Sequence, residues 1–145
     1  MNDKKGFLGG AALVVSAAVV FGLGKFAVGS FLGGSSEASI QAALLDSADQ
    51  LNATLPMMVD EETRLDSASG SDRTFRYNYT MVNYASEDID PEVFVSHMRP
   101  QLTAGVCTNK EMAVFVKHRI PVVYAYYGNQ GKEIATLAVQ STDCD

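Results

Sequence analysis

The side chains able to do chemistry are few in this 145-residue chain, and they are scattered. Cys107 and Cys144 are the two thiols, and His97 and His118 the two imidazoles. Their order, His97, Cys107, His118, Cys144, lacks the short paired spacing of zinc knuckles, so no metal is expected. The sequence contains no Gly-x-Ser-x-Gly elbow, no phosphate-binding glycine loop and no pair of histidines four apart on a helix. Neither histidine stands in a recognisable nucleophile motif, which leaves a catalytic base without an object. The chain therefore reads as non-enzymatic and without a cofactor. Asp60-Glu61-Glu62 fits no calcium loop and reads as a solvated turn.

Recognition rests with the arginines and tyrosines. Arg64, Arg76 and Arg99 could each anchor an acidic group, or pair internally with the chain's own abundant acids. Tyr77, Tyr79, Tyr84, Tyr124, Tyr126 and Tyr127 all fall on strand candidates, where phenols can line a groove or pack in a sheet core. The candidate contact residues are Tyr124, Tyr126, Arg76 and Arg99.

Charge narrows the partner class. The formal net charge is −6, and residues 1 to 34 carry Lys4, Lys5 and Lys25 against Asp3, which is +2. The remainder, 35 to 145, is thus −8, and it holds no basic cluster with interleaved aromatics. Nucleic acid and acidic lipid headgroups are disfavoured on that ground.

The charge split coincides with a split in hydropathy. Residues 7 to 24, FLGGAALVVSAAVVFGLG, carry no charge and follow two lysines. As a helix they would reach about 27 Å, close to a bilayer's hydrocarbon thickness. Lysines before the span favour an N-terminus inside and the rest of the chain outside. The expectation is a single inner-membrane span, a Gly/Ser tether to residue 34, and an exported domain over 35–145 in the periplasm. Cleavage as a signal peptide at Ala27-Val28-Gly29 is the alternative, and it too exports the domain. No cysteine near the end of the apolar run offers a lipid anchor. Outside the cytoplasm, the two thiols read as one disulfide.

The elements that would position these groups follow from periodicity. Ile40, Leu44, Ala48, Leu51 and Leu55 make one helical stripe, opened by Ser35 or Ser36 and stopped by Pro56. Strands are predicted over 62–69 and 74–84, joined at Gly70-Ser71-Asp72. In the second, Phe75, Tyr77, Tyr79 and Met81 alternate with Arg76, Asn78, Thr80 and Val82, which predicts a sheet with one covered and one wetter face. Asp90-Pro91-Glu92 starts a helix buried through Phe94, Met98 and Leu102, with Pro100 expected to kink or end it near Arg99. Thr108 with Glu111 would box a second short helix carrying Met112, Phe115 and Val116. A closing hairpin runs from Ile120 through a turn at 128–131 to Gln140, its start placed at a sheet edge by Pro121. The sum is an α+β domain of order α-β-β-α-β-β: a four-stranded antiparallel sheet with helices on one face.

The blocks Leu55-Pro56-Met57-Met58-Val59-Asp60, Arg64-Leu65-Asp66-Ser67, Tyr77-Asn78-Tyr79-Thr80 and Ser141-Thr142-Asp143-Cys144 resemble a group of small exported bacterial proteins. That resemblance implies export and a cysteine pair, and transfers no activity. More loosely, a small α+β domain with one disulfide is similar to secretion-system pilotins, which bind a segment of an outer-membrane secretin. The functional expectation is a non-catalytic accessory module displayed to a protein partner in or near the membrane. A small-ligand or sensing domain with a tyrosine-lined pocket is the second reading. Oligomeric state is left open.

Overall fold

A computed structural model describes residues 36–145, and the expected membrane span, tether and cleavage site lie outside them. The described part is a mixed α+β domain of three α-helices and one five-stranded sheet in the order β1-β2-β3-β4-β5. The strands are β1 (Met57–Met58), β2 (Thr63–Ser71), β3 (Thr74–Met81), β4 (Val122–Gly128) and β5 (Glu133–Val139). The helices are α1 (Glu37–Asn52), α2 (Pro91–Thr108) and α3 (Ala113–Lys117), with short 3-10 turns at Ser86–Asp88, Lys110–Met112 and Ser141–Cys144. Among the described residues no helix is long and apolar enough to cross a membrane.

Helix α1 begins where Ser36 accepts the Ser39 N–H, satisfying one of the donors that a helix start leaves open. Its apolar stripe buries Ile40, Leu44, Ala48 and Leu51 on β2 and β3. Helix α2 starts at Asp90, whose carboxylate accepts from the Glu92 and Val93 N–H groups, with Pro91 at the first helical position. It buries Phe94, Met98, Leu102 and Val106 and packs over β5. These faces join the inward side of the sheet in one core.

Five expectations are corrected. The sheet has five strands, because Met57–Met58 adds a short antiparallel edge to β2. It is not wholly antiparallel: β3 and β4 run parallel. A chain that leaves one strand, returns along a helix and enters the neighbouring strand arrives in the original direction, the geometry of a crossover connection. β4 is consequently a central strand with neighbours on both sides, and Pro121 sits just before it rather than marking an edge. Pro100 neither ends nor divides α2, which continues to Thr108. The short helical turn after it is capped by Asn109, which accepts the Glu111 N–H, while the Thr108 hydroxyl donates back to the Ala104 carbonyl.

Two local features set the faces of β2. Residue 66 is a bulge between Leu65 and Ser67, so that Leu65 and Ala68, three apart in sequence, both point inward. The β2–β3 turn is carried by Asp72 and Arg73, at left-handed φ of 51° and 57°, beginning two positions beyond Gly70. Arg73 is held there by Glu37 at 2.7 Å and by Gln41, whose side-chain oxygen accepts the Arg73 N–H. The expected cysteine pair is a disulfide between Cys107 near the end of α2 and Cys144 in the C-terminal turn, with Cα atoms 5.4 Å apart.

Candidate binding site on the two faces of the central strands

Parallel pairing of β3 with β4 sets Tyr77 beside Tyr124 and Tyr79 beside Tyr126. All four point inward and are 0 % exposed. Their rings lie nearly parallel across the strands, with centroids 5.4 Å apart for Tyr77 and Tyr124 and 5.0 Å for Tyr79 and Tyr126. Phe75 and Phe115 close one end of the block, and Phe94 meets the edge of Tyr126 at 4.8 Å. Among the described residues none of the four phenol oxygens meets a hydrogen-bond partner. Burial raises the pKa of each phenol well above its ordinary value, since a phenolate there would lose its hydration. Ser47, on the buried face of α1, likewise has a buried hydroxyl with no partner among the described residues.

The outer face of the same strands is polar and internally bonded. Arg76 donates through Nε to Asn78 Oδ1 at 3.0 Å and through Nη2 to the Tyr127 hydroxyl at 3.2 Å. Asn78 in turn donates to Ser67 Oγ at 3.0 Å, so the chain of bonds crosses β2, β3 and β4. Arg76 stands level with Val123 while Tyr127 stands level with Thr80, so their bond passes diagonally over the intervening row, and Ala125 in that row is fully buried. Next to this network Arg64 pairs with Asp66, which also accepts from Thr80. Arg64 and Arg73 thus have carboxylate partners, whereas among the described residues Arg76 is oriented by neutral groups.

The sheet's flanks are occupied by side chains. Asn52, the last residue of α1, bonds both backbone groups of Ala68, receiving its N–H and donating to its C=O, each at 2.8 Å. Gln41 donates to the Gly70 carbonyl at 2.7 Å. Beyond the two residues of β1, these amides take the place of a neighbouring strand on β2. On the far side Arg99 donates to the Ala138 carbonyl of β5 at 3.4 Å.

The four contact candidates therefore occupy three places: Tyr124 and Tyr126 inside the core, Arg76 on the outer face, and Arg99 at the β5 flank. The acidic run is more ordered than a solvated turn, because Asp60 accepts the Glu62 and Thr63 N–H groups and Glu62 accepts the Tyr84 hydroxyl. His97 lies on α2 and His118 caps the end of α3. Among the described residues no three His, Cys, Asp or Glu side chains converge on a possible metal position. Asn52 and Gln41 escaped the sequence reading as functional groups. Their only signal was a polar side chain on a helix whose opposite face is apolar.

Residues 39–135 match a family described as a domain of unknown function, DUF8479, and the chain belongs to that family. No curated protein matches it in sequence. Solved structures share its fold. A protein of Pseudomonas aeruginosa described as secreted superposes with a TM-score of 0.63 at 17% identity, over 77% of this chain and 100% of that one. The type 2 secretion system pilotin EpsS of Vibrio vulnificus gives 0.60 at 13% identity, over 75% and 94% of the two chains. The type II secretion pilotin AspS of Vibrio cholerae gives 0.57 at 15%, over 74% and 94%.

Proposed function

We propose that this chain is a membrane-anchored accessory domain that binds a protein partner in the periplasm. Residues 7 to 24 would span the inner membrane and residues 35–145 would be displayed beyond it, as their hydropathy and flanking lysines favour. The observation that carries the reading is a fold held in common with two secretion pilotins over 94% of their length. A pilotin-like role in secretion is its narrower form.

Pairing at a sheet edge is the less favoured mode of contact, since Asn52, Gln41 and Arg99 already occupy the flanking backbone groups. The outer face is the more favourable surface. There Asn78 and the Tyr127 hydroxyl orient Arg76, Ser69 and Val123 stand beside it on β2 and β4, and among the described residues no carboxylate pairs with it. A partner carboxylate would complete it. Arg99 would lie at the rim of that contact.

The test is in-cell photocrosslinking of the full chain in a native-like bacterial host, with the crosslinker at position 123 on the outer face or at exposed position 45 on α1. A discrete partner should crosslink from 123 and not from 45. Arg76→Glu should lower its yield about tenfold or more, the scale of losing one desolvated charge pair. Equal yields from both positions would refute the outer-face contact. Recovery only from the soluble periplasmic fraction would refute the anchor.

A further inference from the structure

The two edges of the sheet are guarded unequally. β1 is two residues long and follows Pro56, and Asn52 and Gln41 serve the backbone of β2 beyond it. β5 is seven residues long, and from Ile134 to Val139 it holds neither a charge nor a proline, the usual blocks to strand pairing. The direction of its bonding follows from its neighbours. Because the Phe75 N–H reaches the Pro121 carbonyl, Pro121, Val123 and Ala125 bond towards β3, and Val122, Tyr124 and Tyr126 bond towards β5. Their partners Val139, Leu137 and Ala135 therefore bond towards β4, which leaves the N–H and C=O of Thr136 and Ala138 directed out of the sheet's edge. Thr136 is exposed, and among the described residues the bond that reaches these backbone groups is that of Arg99 to the Ala138 carbonyl, at 3.4 Å.

We propose that β5 is a self-pairing edge, on which a second copy of this chain, turned about a two-fold axis at Leu137, lays its own β5 antiparallel. Thr136 of each copy then meets Ala138 of the other, and each such pair exchanges both of its N–H···O=C bonds. The helix above the edge makes a second copy the fitting occupant. α2 packs over β5 and is bridged at its far end to the turn that follows the strand, so helix and strand run the same way. Glu92 and Arg99 are both exposed and stand about two turns apart on one flank of α2. The midpoint between them lies about 5 Å back from Arg99 along the helix, and Leu137 lies about 3 Å back from Ala138 along the strand, so one axis serves both elements. That axis sets Arg99 of each copy against Glu92 of the other. An unrelated strand would have to displace Arg99 from Ala138 with nothing to receive it, whereas a second copy supplies the carboxylate.

The test is sedimentation equilibrium of the full chain in detergent micelles, for the wild type, Arg99→Glu, Glu92→Arg and an equimolar mixture of the two variants. The wild type should dimerise reversibly, and each reversal should raise the Kd about tenfold or more, since symmetry sets like charges together at both ends of the contact. Mixing the variants restores an opposite pair at each end and should bring the Kd back to within about twofold of wild type. A change confined to the fold of one copy could not be rescued in that way. Independently of any variant, hydrogen exchange at the Thr136 and Ala138 amides should slow as the concentration passes the Kd, while that of exposed Gln130 in the β4–β5 turn stays constant. A wild type still monomeric at about 0.1 mM, a dimer indifferent to both reversals, or a mixture as weak as its components would overturn the proposal. Exchange at Thr136 and Ala138 that ignores concentration would overturn it as well. Arg76 is unchanged throughout, so the outcome is separate from that of the outer-face crosslink.

Discussion

Asn52 shows how much one side chain can decide. At the end of α1 its carboxamide matches the donor and acceptor of Ala68, the task a further strand would perform on the flank of β2. Replacing it with alanine leaves both backbone groups to water or to another chain. Asn52→Ala should cost about 1–3 kcal/mol in denaturant titration and increase self-association in light scattering. Unchanged stability would mean that solvent serves the edge as well as the amide does. Gly70, two positions along, has a different constraint: a Cβ there would meet the Leu44 carbonyl oxygen at 2.4 Å, so close packing of α1 on β2 excludes any side chain. Neither requirement is visible from periodicity. Polar and glycine positions stay silent in a hydrophobic pattern until their neighbours are known.

At the scale of elements, the amphipathic stripes of α1 and α2 and the alternation in β3 were legible, because a 3.6-residue or two-residue period reports directly on which side is buried. Periodicity was silent where one period was broken. The bulge at residue 66 offset the inward set of β2, and Pro100 on the exposed side of α2 was accommodated without ending the helix. Helix α2 has a further restraint in the Cys107–Cys144 bridge, which closes 37 residues onto its last turns. Restricting a loop of that length in the unfolded chain is worth about 4 kcal/mol on the chain-entropy model. Changing both cysteines to serine should lower stability by that order, and hydrogen exchange should quicken first in the C-terminal turn and the end of α2. Exchange that rises uniformly over the whole domain would show instead that the bridge acts only on the unfolded chain.

Across the whole molecule, the four buried phenols couple folding to alkali. An exposed tyrosine ionises near pH 10, and burial raises that point for Tyr77, Tyr79, Tyr124 and Tyr126. Below about pH 10 both folded and unfolded chains keep these protons, so stability is unaffected by them. Above it the unfolded chain releases protons that the folded chain retains, and stability falls as pH rises. Phenolate absorbance from these residues should therefore appear together with loss of circular dichroism, in one cooperative transition on the alkaline side. Full phenolate absorbance from a still-folded protein would contradict the burial of the block.

The sequence by itself determined the helix and strand types, the covered and wet faces of the sheet, the cysteine pair and the expectation of export, because these depend on local periodicity, composition and charge. Tertiary structure alone decided that β3 and β4 lie side by side and parallel, which gathers four tyrosines from two distant segments into one block and brings Tyr127 within reach of Arg76 on the other face. The physical reason is that the connection from residue 82 to 121 can return a strand to either side of its predecessor and in either direction. Only the packing of α2 across the sheet selects among those arrangements, and that packing is a property of all the elements together.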